Sequence, residues 1–241
     1  ILWTFSAASR KYDAPIYREV ADRAFNYLVT YFYDKTNKGF YWKVDYNGKP
    51  VDTKKQIYAQ AFVIYALSEY YLLTKNENSK NLAIETFNLI EKYSFDTTYN
   101  GYFEAFDEQW GLIEDLRLSD KDMNEKKTMN THLHILESYT NLYRIYTNEK
   151  LRERVKNLLM VFDKHIINNT DYHYELFFDE LWNIKSNIIS YGHDIEGSWL
   201  MYEAAEVIHD EKLIEKFKDL ALKIADNCFD LIAYQIKDVY L

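Results

Sequence analysis

The segment 101–113, which opens Gly101-Tyr102-Phe103-Glu104-Ala105-Phe106, alternates aromatic residues with smaller or polar ones. This period of two is typical of a short β-strand. Two further segments, 39–50 and 172–184, have a similar composition. Each of the three segments contains one candidate turn, at Asn47-Gly48, Trp110-Gly111 and Trp182-Asn183 respectively when the segments are taken in chain order. The sequence therefore predicts three short β-hairpins.

Each predicted hairpin lies between two helices of different character. The helix before it carries charge on one side, as over 211–217, whereas the helix after it is apolar on most faces, as over 65–73. The charged type is predicted at 16–33, 79–94 and 150–167, with a fourth from Asp210 to about Cys228. The apolar type is predicted at 56–74, 127–147 and 189–208.

This helix–hairpin–helix unit recurs about every 65–70 residues, which is the spacing of a repeat architecture. A helix that is apolar nearly all round is buried, so the apolar helices should form an inner layer inside a ring of the charged ones. Only six glycines and two prolines interrupt the chain, which favours long helices. The pattern predicts an all-α fold, an α/α toroid with short β-hairpins at one rim.

The inner helices carry unusual residues where they begin. Superposition of the repeats aligns Tyr58-Ala59-Gln60 with Asn130-Thr131-His132 and Gly192-His193-Asp194. Helical spacing puts Asn130 on one face with His134, at i and i+4, and His193 on one face with Glu196, at i and i+3. Titratable groups at the N-terminal ends of apolar helices suggest acid–base chemistry on a small polar molecule. Tyr58 is a candidate contact for that molecule because it is in register with Asn130.

Composition restricts the partners. The 241 residues are 48% hydrophobic and carry a net charge of −9, without a basic run. We therefore expect one domain over 1–241 that binds neither nucleic acid nor a membrane surface. No apolar run approaches the length of a membrane span. The single cysteine, Cys228, cannot form an internal disulfide and is compatible with a reducing compartment, so a cytoplasmic location is expected.

Two stretches, 128–144 and 190–196, resemble the cellobiose 2-epimerase branch of the N-acylglucosamine 2-epimerase superfamily. They begin Thr128-Met129-Asn130-Thr131-His132 and Ser190-Tyr191-Gly192-His193. The resemblance covers residues 1 to about 228 and implies an (α/α)6 barrel, here a partial one, while 230–241 reads as a divergent tail. Relatives are longer and carry a second catalytic histidine in their C-terminal part, so we expect this chain to be a fragment with one of the two bases.

The resemblance implies reversible epimerisation at C2 of the reducing-end glucose of β-1,4-linked disaccharides such as cellobiose, lactose and mannobiose, without a metal or any other cofactor. It assigns C2 proton transfer to His193. Glu196 would assist ring opening and tune that imidazole. Asn130 would bond the enediolate region, with His134 in support.

Other functions remain open at this point. An aldose–ketose isomerase on mannose-like sugars would use the same enediol. An inverting glycoside hydrolase would need a second carboxylate to match Glu196. A sugar-binding scaffold would need no catalyst. A metal site is disfavoured because His132 and His134 point to different sides of a helix.

Several residues have simpler structural interpretations. His132 is expected to be structural, and Asp194 is expected to cap its helix. The loop 116–124 is either a lid or a solvated connection. The hairpin tryptophans, Trp42, Trp110 and Trp182, either pack the rim or stack on sugar. The remaining histidines are expected at the surface, namely His165, His173 and His209.

Overall fold

The predicted repeat is present in the computed structural model, which describes the backbone of residues 1–239 and side chains as far as Phe229. The helices are α1 (Leu2–Lys11), α2 (Pro15–Tyr27), α3 (Ile57–Thr74), α4 (Glu77–Tyr93), α5 (Met129–Tyr143), α6 (Glu149–Val161), α7 (Tyr191–Val207) and α8 (Glu211–Val239). Two of them, α2 and α6, continue into π-helical turns at Leu28–Phe32 and Phe162–Ile166. The side chains of the predicted tail at 230–241 lie outside the described residues.

The helices form the two predicted layers. In the inner layer α3 packs against α1 and α5, and α5 packs against α7, while α2, α4, α6 and α8 cover the outside. The inner helix α5 has most of its residues buried, including Leu133 and Leu136 on its core side. The outer helix α4 buries only one face, with Phe87 and Ile90 turned inward. The burial pattern confirms the layered all-α fold, because apolar residues all round a helix require cover on all sides.

The predicted hairpins are confirmed, and their strands also pair between repeats. The strands are β1 (Lys43–Val44), β2 (Pro50–Asp52), β3 (Lys55–Gln56), β4 (Ala105–Phe106), β5 (Lys127–Thr128) and β6 (Phe177–Phe178). The first hairpin joins β1 to β2. In the next two repeats, β4 and β6 pair with β3 and β5, the strands that lead into α3 and α5. This pairing satisfies edges that isolated two-residue strands would leave open, and it connects successive repeats along one rim.

One position on each inner helix holds the hairpin of its own repeat. In each case a buried side chain accepts the backbone N–H of the aromatic residue at the hairpin start. The pairs are Gln60 with Phe40 at 3.0 Å, His132 with Tyr102 at 2.9 Å, and Asp194 with Tyr174 at 2.8 Å. Three different residue types thus perform one structural task, in the register that the sequence predicted.

Asp194 is therefore not the helix cap that the sequence suggested. Its carboxylate accepts a hairpin N–H rather than a free N–H of its own helix, because its side chain faces the buried hairpin. Ser190 is the residue at the N-cap of α7, and it makes no capping hydrogen bond.

Buried ion pairs and tryptophans lock the rim loops. Lys55 lies 2.8 Å from Asp34 and Lys127 lies 2.7 Å from Asp96, all four side chains being almost completely buried. The indole N–H of Trp110 donates to the carbonyl of Asn37, and the indole N–H of Trp182 donates to the carbonyl of Tyr99, so each tryptophan bonds the preceding repeat. Trp110 and Trp182 are buried, so they pack the rim rather than present a face for sugar stacking.

Among the helices in the described part of the chain, none combines the length and hydropathy that crossing a bilayer requires.

Candidate active site

His193 lies in the first turn of α7, where its imidazole is only partly buried. Its Nδ1 atom is 2.8 Å from the hydroxyl of Ser190, three residues earlier. Burial lowers the pKa of His193, the nearby Glu196 carboxylate opposes that shift, and His134 adds to it. The imidazole is therefore mainly neutral near pH 7 and can accept a proton.

His193 and Asn130 line one cavity at the start of the inner helices. Its walls come from the hairpin rim and the loop after it, including Glu104, Leu116, Arg117, Leu118, Asp122, Met123, Thr128 and Phe177. The loop predicted at 116–124 therefore forms one wall of the cavity. The side chain of Gln56 donates to the carbonyl of Leu116 at 3.0 Å, and Lys54 donates to that of Arg117 at 2.9 Å.

His134 lies one turn deeper on α5 than Asn130 and is buried. It contacts Tyr58, whose ring meets the imidazole edge-on with centroids 5.0 Å apart. Burial raises the pKa of Tyr58, and the charges of Glu196 and Glu137 raise it further. The structure thus places Tyr58 against His134, and its charge coupling to Glu196 puts that carboxylate nearby. His134 itself does not line the cavity that His193 shares with Asn130.

His132 lies on a different face of α5 from Asn130 and His134. It is completely buried, with Nδ1 2.6 Å from the carbonyl of Thr128 and Nε2 accepting the N–H of Tyr102. Burial lowers the pKa of His132 to about 3. These contacts support its structural interpretation.

The prediction for the three remaining histidines is wrong for His173, which is buried next to the rim. His165 is partly buried and stacks on Trp182, with ring centroids 4.6 Å apart. His209 is exposed as expected. Rim packing explains the difference, since the hairpin folds back over its own outer helix.

Three residues near the site were missed in the sequence. Ser190 and Glu137 each lie three positions from a histidine of the candidate set, a helical spacing that could have identified them. Glu104 is completely buried in the cavity wall, where it accepts the N–H of Thr128 at 2.8 Å and the hydroxyl of Thr131 at 2.5 Å. Burial raises the pKa of Glu104 to about 8. No local pattern marks it, because its partners Thr128 and Thr131 belong to β5 and α5.

Among the described side chains, no three His, Cys, Asp or Glu residues gather around a common point.

The sequence model of the N-acylglucosamine 2-epimerase family matches residues 1–234. The chain belongs to this family. Within the family it is 49% identical over 225 residues to a cellobiose 2-epimerase of Bacteroides fragilis, covering 93% of this chain and 57% of that protein. A cellobiose 2-epimerase of Dictyoglomus turgidum is 40% identical, with 95% of this chain and 59% of that one covered.

Solved structures agree on the fold of this family member. The cellobiose 2-epimerase of Bacillus thermoamylovorans superposes with a TM-score of 0.88 at 39% identity, covering 94% of this chain and 58% of that one. A D-mannose isomerase, 18% identical with a TM-score of 0.73, shares the fold. The chain spans little more than half the length of the curated relatives it matches.

Proposed function

We propose that this protein epimerises C2 of the reducing-end glucose of β-1,4-linked disaccharides, converting cellobiose to glucosyl-mannose and lactose to epilactose. Support comes from family membership and from the names of the most similar relatives. The observation that carries the proposal is the cavity that the partly buried imidazole of His193 shares with Asn130, where burial also lowers the pKa of His193. The single cysteine is compatible with activity in the cytoplasm.

Proton transfer explains why this arrangement suits the reaction. In the open-chain sugar, Nε2 of His193 takes the hydrogen from C2, and the C2–H electron pair forms the C1–C2 double bond of an enediolate while negative charge develops on O1. Nδ1 is held by Ser190, which leaves Nε2 for the substrate. A base with a pKa near the working pH contributes about 10²–10⁴-fold to such a step.

The neighbouring residues have supporting roles in this proposal. Asn130 donates a hydrogen bond to the enediolate oxygen, which is the type of fixed donor that stabilises developing charge. Glu196 assists ring opening and raises the basicity of His193, in the same sense as its effect on the imidazole pKa. Tyr58 and His134 contact the sugar from α3 and α5. Inversion also requires a proton donor on the opposite face of C2, which the resemblance assigns to a histidine in the C-terminal part of relatives.

Incubation of the full-length protein with cellobiose in deuterated water tests the proposal. Deuterium at C2 together with a mannose-ended product supports epimerisation. A fructose-ended product would instead show an aldose–ketose isomerase, and free glucose would show a hydrolase. Unlabelled and unchanged cellobiose would contradict the proposal.

A further inference from the structure

The inner helices present equivalent positions to the centre of the ring at successive depths. The level of Tyr58 and Asn130 is followed one turn deeper by Phe62, His134 and Glu196, and then by Tyr65, Glu137 and Trp199. On α5 these two deeper levels place an imidazole and a carboxylate three residues apart. The side chain of His134 is 7% exposed and that of Glu137 is 12% exposed, so solvent screens this pair weakly.

One ring nitrogen of His134 and one carboxylate oxygen of Glu137 form the contact. Nδ1 of His134 lies 3.0 Å from Oε2 of Glu137. An ionised carboxylate only accepts hydrogen bonds, so Nδ1 must carry the proton in this contact. In the neutral imidazole, Nε2 then bears the lone pair. Among the described side chains, none forms a hydrogen bond with Nε2.

Both members of the pair are held in place by aromatic neighbours. The ring of His134 is flanked by Tyr58, edge-on at 5.0 Å, and by Phe62 at 4.6 Å with a tilt of 41°. On the deeper side lies Tyr65, whose pKa is raised first by burial and then by the charge of the Glu137 carboxylate. Trp3 stacks on Tyr65, with centroids 5.1 Å apart. Rotation of the imidazole is therefore restricted.

We propose that Glu137 is a positioning residue that fixes His134 as the Nδ1–H tautomer, so that Nε2 accepts a hydrogen bond from a hydroxyl of the bound sugar. Without the carboxylate, either ring nitrogen could hold the proton, and the Nε2–H tautomer would present a donor where an acceptor is needed. The identity of the ligand as a sugar rests on the proposed function, whereas the fixed tautomer does not.

Nitrogen-15 NMR of histidine-labelled full-length protein measures the tautomer directly. Wild-type His134 is expected to show a protonated Nδ1 and an unprotonated Nε2. In Glu137→Gln the amide can donate as well as accept, so the preference should fall towards a mixture. A wild-type His134 protonated at Nε2 overturns the proposal even if the variant does not fold.

Kinetics test the consequence for the sugar. Glu137→Gln is expected to lower kcat by about 10–100-fold, the range typical of residues that orient a functional histidine, with KM changed less than about threefold. Its matched control is Glu203→Gln on α7, since Glu203 pairs with Arg144 rather than with a histidine. Equal activity of wild type and Glu137→Gln overturns the proposal. If the wild type exchanges no C2 hydrogen, the proposed function fails, but the NMR result still decides whether Glu137 fixes His134.

Discussion

His132 and His193 are both histidines in the first turns of inner helices, yet their surroundings differ completely. His132 is fully buried, and both of its nitrogens bond backbone groups. His193 is partly exposed, bonds one serine hydroxyl and lines a cavity. In the repeat register His132 coincides with Gln60 and Asp194, which hold hairpins, while His193 lies one residue before that position. A shift of one residue on a helix therefore separates a structural histidine from a candidate base.

The largest expected effect concerns catalysis at His193. His193→Ala should lower the rate of deuterium entry at C2 of cellobiose by about 10²–10⁴-fold, since the base is lost. Its free energy of unfolding should change by less than about 1 kcal/mol, because only one partly exposed hydrogen bond disappears. Mass spectrometry of the sugar and urea unfolding provide the two measurements. An undiminished exchange rate would exclude His193 as the base.

The opposite outcome is expected for His132→Leu. The N–H of Tyr102 would be buried without a partner, at about 1–3 kcal/mol, whereas the carbonyl of Thr128, the N-cap of α5, keeps its intrahelical hydrogen bond. We therefore expect a loss of about 1–3 kcal/mol in urea unfolding, with near-normal exchange per folded molecule. His132→Gln is the matched control because Gln60 binds the Phe40 N–H in the same way. Equal free energies of unfolding for His132→Leu and His132→Gln would contradict the structural role of His132.

The buried position of His132 should also make the free energy of unfolding depend on pH. The pKa of His132 is lowered to about 3 in the folded protein, against about 6.5 for an unperturbed histidine. Between these values the unfolded state binds more protons, so the stability contribution is complete above about pH 6.5 and is lost as the pH falls towards 3.

The His132→Gln variant isolates the contribution of His132 in this pH range. Unfolding free energies of wild type and His132→Gln, measured from pH 7 to pH 4, should diverge as the pH falls, because only the wild type loses the contribution of His132. Parallel curves would show that His132 does not titrate as described.

The smallest expected effect concerns the orientation of His193. Ser190→Ala removes the hydroxyl at Nδ1 and should lower kcat by about 3–10-fold, corresponding to one hydrogen bond of about 0.5–1.5 kcal/mol. Ser198→Ala is the control, since its hydroxyl donates to the carbonyl of Ile195 on the same helix and contacts no imidazole. Steady-state kinetics with cellobiose distinguish them, and equal kcat values for both variants would remove Ser190 from the site.

Local patterns predicted much of the candidate site. Asn130 and His193 were found because polar residues at the starts of apolar helices are unusual, and the structure places both in one cavity. Glu104 and the buried position of His173 were not predicted, since each depends on a partner from another element. Asp194 was assigned to the wrong acceptor role for the same reason.

The sequence by itself determined the two helix layers, the hairpins and the register of the repeats, because apolar periodicity and turn residues act over a few neighbouring positions. Only the tertiary structure decided the tasks of His132 and Asp194, since their partners Tyr102 and Tyr174 lie 30 and 20 positions away along the chain. Folding brings such partners within hydrogen-bond distance, and the free-energy cost of burying an unpaired polar group then selects which side chain serves the fold.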